Sequence, residues 1–241
     1  MRVALISDLH GNMLALEAVL AAIGRAGVDQ VICLGDVCTL GARPREVLDV
    51  LRDLDAPVIL GNHDEFLLEP ALVHGYSEAP VIADAVDWCL GQLGDDDLAM
   101  VRGFDRDREL DLDGTRLLLF HGSPRSNLED LLATTPPDEV DRALDGRLAP
   151  VMAGGHTHLQ LVRQHRGALL VNPGSVGLPI LEYVAGRAPT LLDHAEYAIV
   201  DAAAGAASVS LCRIPLDRRA LRAQAESTDH PLRAMLAAAY A

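Results

Sequence analysis

Residues 3–12 read Val-Ala-Leu-Ile-Ser-Asp-Leu-His-Gly-Asn, an apolar run that meets a carboxylate, an imidazole and a glycine almost at once. A short aliphatic run closed by turn residues reads as a buried strand, so residues 3–7 are expected to be a strand ending in a polar turn. The same arrangement recurs along the chain. Residues 31–34 run into Gly35-Asp36, 58–60 into Gly61-Asn62-His63-Asp64, 117–120 into His121-Gly122, and 151–153 into Gly154-Gly155-His156-Thr157-His158. Between the first three runs lie stretches with helical spacing, at 14–23 and about 45–54. Strand, helix, strand, helix, strand implies parallel pairing through right-handed crossovers, and hence an α/β fold. In such sheets the carboxyl ends of the strands open on one rim, where side chains just past several strands can meet.

From 65 to about 102 the pattern is helical and polar, a helical insert broken at Gly75, Pro80 and 94–97, with Asp95 expected to cap a helix ending near Val101. The period then shifts to two, and residues 109–112 and 115–120 flank Asp113-Gly114, a dipeptide that favours a tight hairpin. Further short strands are expected at 151–153, 159–164, 168–171, 198–200 and 208–213. An Ala/Arg-rich tail from about 216 to 241 reads as helix. Neither an internal repeat nor a linker divides the sequence, so residues 1–241 read as a single domain.

The composition bounds the function. Of 241 residues 50% are hydrophobic but only 3% aromatic, so the core must be built mainly from Leu, Val, Ala and Ile. Thirty-five acidic residues face twenty basic ones, all of them Arg, for a net charge of −15. That field repels long nucleic acids and anionic membranes. Four cysteines without a CxxC pair support neither a zinc ribbon nor a disulfide framework and fit reduced thiols. The first apolar run meets Asp8 too early for a secretory signal, and no stretch approaches the ~18 apolar residues of a membrane helix. A cytoplasmic protein is expected.

The strand-end residues Asp8, His10, Asp36, Asn62, His63, His121, His156 and His158 make a mixed oxygen and nitrogen donor set. Such a set suits Mn, Fe, Co, Ni or Zn better than Ca or Mg. It exceeds what one tetrahedral ion would use. Two ions about 3.5–4 Å apart, bridged by a carboxylate, would account for it and form the clamp used in phosphoester hydrolysis. Any one of these turns alone is ordinarily a turn or a cap; five in order, each after a buried run, are hard to reach by accident.

Taken together, Asp8-Leu9-His10, Gly35-Asp36, Gly61-Asn62-His63-Asp64, His121-Gly122 and Gly155-His156-Thr157-His158 resemble the motif series of the calcineurin-like metallophosphoesterases. The likeness runs to about Arg213 and includes Asn172-Pro173-Gly174-Ser175-Val176-Gly177, as in small bacterial and archaeal phosphodiesterase-like members. It implies a four-layer αββα sandwich of two mixed β-sheets with a binuclear metal site at one rim. It further implies that Asp8, His10, Asp36 and His158 hold one divalent ion and Asp36, Asn62, His121 and His156 a second. Manganese is the foremost expectation, with iron, nickel, cobalt or zinc also compatible.

His63 resembles the family residue that contacts the phosphate and protonates the leaving oxygen, with Asp64 as its orienting partner. Asn62, His63 and Arg125 are the expected substrate contacts, since a guanidinium near His121 is suited to phosphate. The implied activity is a phosphodiesterase acting on a small-molecule or nucleotide phosphoester through metal-activated water. A phosphomonoesterase or dinucleoside polyphosphate hydrolase is the enzymatic alternative, and a non-catalytic scaffold of this fold the alternative of another class. The stretches Val37 to Pro44 and Leu178-Pro179-Ile180 depart from the family pattern, so substrate-choosing residues are expected to differ.

Overall fold

The computed structural model describes residues 1–76, 79–184 and 187–241. Ser77 and Glu78, within the expected helical insert, lie outside the described residues. The chain opens with strand β1 (Arg2–Ile6), helix α1 (Met13–Ala26), strand β2 (Gln30–Cys33) and helix α2 (Pro44–Asp53). β1 and β2 pair in parallel, as the alternation requires. Asn12 caps α1, its side chain accepting from the Ala15 N–H at 3.1 Å, and Pro44 begins α2, where its missing N–H costs nothing. The third apolar run is too short for a ladder. Val58 and Ile59 make single parallel bridges to Cys33 and Asp105, which still carry the chain to the same rim.

The insert is helical from its first motif residue. It comprises α3 (Asn62–Leu68), a 3-10 turn (Pro70–Leu72), α4 (Val73–Tyr76), α5 (Pro80–Leu90) and α6 (Asp95–Arg102). Asp95 does not cap α6. Gly94 occupies the cap, and the Asp97 carboxylate bonds back to its N–H at 3.0 Å while pairing with Arg52 at 3.0 Å. Asp97 is buried by these contacts.

The hairpin β3 (Arg108–Leu112) and β4 (Thr115–Leu119) turns at Asp113 and Gly114 with φ of 58° and 85°, the left-handed pair that a tight two-residue turn needs. α7 (Pro137–Leu144) has no counterpart in the sequence reading. Strands β5 (Val151–Ala153), β6 (Leu161–His165) and β7 (Ala168–Asn172) follow. The long pair β8 (His194–Ala203) and β9 (Ala206–Pro215) extends well beyond the short runs expected there. The tail forms α8 (Arg218–Glu226) and α9 (Arg233–Ala239).

Two mixed sheets result, ordered β2-β1-β8-β9 and β3-β4-β5-β7-β6. Their facing surfaces enclose an aliphatic core of Val3, Leu5, Ile32, Leu117, Leu119, Val151, Val171 and Val200. Outside the first sheet lie α1, α2 and the insert, packed through Leu16, Val19, Leu48 and Phe66. Outside the second lies α7, through Val140 and Leu144 against Phe120 and Leu170. These are the four layers of an αββα sandwich.

β1 and β2 run parallel in one sheet, β4 and β5 in the other, so four carboxyl ends share a rim. The inter-sheet core sets the spacing of that rim. Leu119→Ala, at a fully buried position one strand end away from His121, should lower the unfolding free energy by about 3 kcal/mol. Urea denaturation of the purified variant checks this, with the transition slope unchanged if only packing is lost.

Candidate metal centre

The strand-end turns leave regular structure in a strained way. Asp8, His10, Asp36, His156 and His158 have φ of 54°, 45°, 55°, 68° and 56°, the left-handed region that non-glycine residues rarely enter. Each such residue costs about 1 kcal/mol, and clusters of them persist only where surrounding structure over-determines them. Here the turns are tied to one another. Asp8 N–H donates to Gly35 O at 2.9 Å, His10 N–H to Asp36 O at 3.0 Å and Gly155 N–H to His121 O at 2.8 Å. The Asn172–Gly177 segment locks them from the second sheet: Ser175 Oγ donates to Asp8 O at 2.7 Å and Asn172 Nδ2 to Gly155 O at 2.6 Å.

Asp36 sits at the centre, buried. Its Oδ1 accepts the His63 N–H at 2.9 Å, which leaves Oδ2 facing His121 Nε2 at 3.4 Å and His10 Nε2 at 3.7 Å. Two groups of donors meet there. Ligand atoms of Asp8, His10, Asp36 and His158 all lie within 4.8 Å of one another, as do those of Asp36, His121 and His156. Asn62 joins the second group, its Oδ1 lying 3.1 Å from His121 Nε2 and 2.9 Å from His156 Nδ1. All seven sequence-predicted ligands are thus brought together, with Asp36 common to both groups.

The imidazoles are oriented from behind. His10 Nδ1 bonds to Thr39 O at 3.1 Å, His121 Nδ1 to Leu34 O at 2.7 Å and His158 Nδ1 to Leu178 O at 2.7 Å. Each bond takes up Nδ1 and turns Nε2 to the centre, the outer-shell arrangement of metal-binding histidines. His10 Nε2 and His158 Nε2 stand only 3.0 Å apart. Asp8 Oδ1, Asn62 Nδ2 and His63 Nδ1 are buried without a hydrogen-bond partner. Convergent lone pairs and the unpaired Asp8 Oδ1 fit divalent cations, and the borderline donor chemistry fits the transition ions.

Protonation follows from the same crowding. Burial opposes charge on every group, yet the neighbouring imidazoles, His121 first, hold Asp36 well below the usual carboxylate range. Against its own burial, His121 is raised to about 9 by the Asp36 charge and hydrogen bond. Burial and the His158 charge push His10 down to about 3. His63 is lowered to about 4 by burial together with the surrounding imidazoles.

Two expectations are corrected. Asp64 does not orient His63. Its carboxylate accepts from the backbone N–H groups of Asp36 (2.8 Å), Val37 (2.9 Å) and Gly61 (3.0 Å), so it holds the Asp36 turn against the start of α3. Burial and the nearby Asp36 charge raise it to about 7. Gly61 is required at this joint, because a Cβ there would collide with Asp36 Oδ1 and the Asp36 nitrogen. Arg125 makes no contact with the cluster; its exposed guanidinium is paired with Glu129. Cys38 is a buried core thiol, and burial beside Cys89 pushes it well above the ordinary thiol range.

Around the cluster stand groups that no spacing in the sequence marked. Tyr76 packs its ring 5.8 Å from His63 and 6.4 Å from His156. Asp130 Oδ1 lies 3.4 Å from His156 Nε2, and Tyr183 donates to Asp130 Oδ2 at 2.5 Å. A family model described as the calcineurin-like phosphoesterase superfamily domain matches residues 1–203.

The chain belongs to the calcineurin-like phosphoesterase superfamily.

Among relatives of this superfamily member, an uncharacterized protein, MJ0912 of Methanocaldococcus jannaschii, is 29% identical over 192 residues, which cover 73% of this chain and 76% of the relative. Phosphodiesterase YfcE of Escherichia coli K12 is 28% identical over 189 residues, 74% of this chain and 81% of that protein. The crystal structure of a metallophosphoesterase from Sphaerobacter thermophilus aligns over 99% of this chain and 100% of its own, with TM-score 0.73 and 27% identity.

A pH prediction follows for the metal-free protein. His121 titrates near 6.5 unfolded and about 9 folded, so its stabilising contribution is complete below pH 6.5 and is lost as pH rises through about 9. Melting of chelator-treated protein should therefore fall between pH 7 and 9, and His121→Asn should flatten that fall. An equal slope in both would contradict the assigned pairing.

Proposed function

We propose that this protein is a binuclear metal-dependent phosphodiesterase for small phosphoesters. The observation that carries the reading is Asp36 Oδ2, one carboxylate oxygen facing donors of both ligand groups. Asp8, His10, Asp36 and His158 would hold one divalent ion and Asp36, Asn62, His121 and His156 the other, with manganese foremost. Bound there, such ions supply Lewis-acid stabilisation of phosphoryl oxygens and acidify the attacking water. The chain's own residues place and discharge the substrate.

His63 lies at the start of α3, its ring held edge-on against Phe66 and His10 at 5.2 Å each. It is neutral above about pH 4, and a phosphoryl anion within hydrogen-bond reach favours its protonated form. It would bind the phosphate and pass a proton to the leaving oxygen. Asn62 and the Tyr76 ring border the same space.

Diester over monoester is favoured by charge. Among the described residues, no arginine hydrogen-bonds or ion-pairs with the cluster, so only the ions and His63 would offset the second negative charge of a monoester. The relative YfcE carries the name phosphodiesterase, in agreement. The net charge of −15 keeps long polyanions away and leaves small phosphoesters as the fitting partners. Free thiols fit a reducing cytoplasm, and no helix among the described residues is long and apolar enough to cross a membrane.

With manganese added, the protein should hydrolyse bis(p-nitrophenyl) phosphate faster than p-nitrophenyl phosphate. His63→Ala should lower kcat by about 10²–10⁴-fold with metal content unchanged. Preference for the monoester would favour the phosphomonoesterase alternative. Hydrolysis of neither ester with manganese, nickel, cobalt or zinc would return the scaffold reading.

A further inference from the structure

Four imidazoles enter the centre, and one is held differently from the rest. His10, His121 and His158 present Nε2 inward and bond Nδ1 to main-chain carbonyls. His156 is turned the other way. Its Nδ1 faces Asn62 Oδ1 at 2.9 Å, and its outer nitrogen, Nε2, faces the side chain of Asp130 at 3.4 Å. We infer that Asp130 is a positioning residue for the second ion's site, fixing His156 with its proton on Nε2 and its lone pair on Nδ1, and that Tyr183 holds Asp130 in place.

The surroundings bear this out physically. Asp130 stands on the loop between β4 and α7, and its neighbour Leu131 is buried in the core cluster that includes Phe120, so the loop is anchored directly beneath the carboxylate. The other carboxylate oxygen accepts from Tyr183 Oη at 2.5 Å, from a segment past the Asn172–Gly177 turn. One oxygen thus faces the imidazole while the other is occupied. A carboxylate behind a metal-bound histidine raises its basicity and fixes its ring, and loss of such a partner typically costs 10–100-fold in metal affinity. Because the other three imidazoles lean on backbone carbonyls, Asp130 is the outer partner that a side-chain substitution can remove. It is also half-open to solvent, with 37% of its side chain exposed, so the isosteric Asp130→Asn leaves the packing below it alone.

The proposal rests on the two-ion reading of the centre, and its test reads metal binding and not turnover. Metal-free full-length protein is titrated with manganese chloride by isothermal titration calorimetry, for the native chain and for Asp130→Asn, Tyr183→Phe and His156→Ala. The native chain should bind two equivalents. His156→Ala identifies which step belongs to the second site. Asp130→Asn should weaken that step by about 10–100-fold and leave the other unchanged, and Tyr183→Phe should move the same step in the same direction by a smaller factor. Unchanged affinity in both Asp130→Asn and Tyr183→Phe would overturn the assignment. Complete loss of the step in Asp130→Asn, equal to His156→Ala, would also overturn it, since Asp130 would then be a ligand itself. A native chain that binds fewer than two equivalents would overturn the two-ion reading, and this proposal with it.

Discussion

The buried carboxylate of Asp36 must face imidazoles from both sheets while sitting in a backbone conformation that side chains avoid, and the rest of the structure is organised around satisfying it. Its Oδ1 is taken by the first turn of α3, its main chain is gripped by Asp64, and its Oδ2 is left to the centre. Without a compensating charge, a carboxylate buried this deeply would be costly. In the metal-free protein His121 supplies that charge, and the donor set around it fits cations in the same role. Asp64 therefore contributes through Asp36, not through His63.

Strain and packing are coupled across the molecule. Five left-handed residues of the cluster can be held only if the strand ends that carry them do not move, and those ends belong to two sheets joined by a dry aliphatic core. The hydrogen bond from His121 Nδ1 to Leu34 O spans the two sheets at the rim, so an imidazole of one sheet is oriented by the main chain of the other. Rigidity in the scaffold and geometry in the site are in this sense one property.

Much of this was legible in the sequence because the signal is repeated. Each turn of the cluster follows an apolar run, and the runs alternate with helices, so α/β class and a shared rim follow from residue order alone; the resemblance to a known family added the second sheet and the expected division of ligands. What the sequence did not reveal depends on contacts distant along the chain. β8 pairs antiparallel with β1 across nearly the whole length of the chain, which no local period encodes. α7 is short and carries few apolar residues, so its amphipathic face did not stand out. Arg125 read as a phosphate ligand from proximity to His121, but Glu129 one helical turn later in sequence claims it. Asp130 is one acid among thirty-five, and only the fold sets it behind His156.

The central claim is that two ions share Asp36. Anomalous diffraction from crystals of the native chain grown with manganese tests it directly. Two peaks about 3.5–4 Å apart on either side of the Asp36 carboxylate, one among Asp8, His10 and His158 and the other among Asn62, His121 and His156, are the predicted result. A single peak, or ions bound away from Asp36, would contradict it.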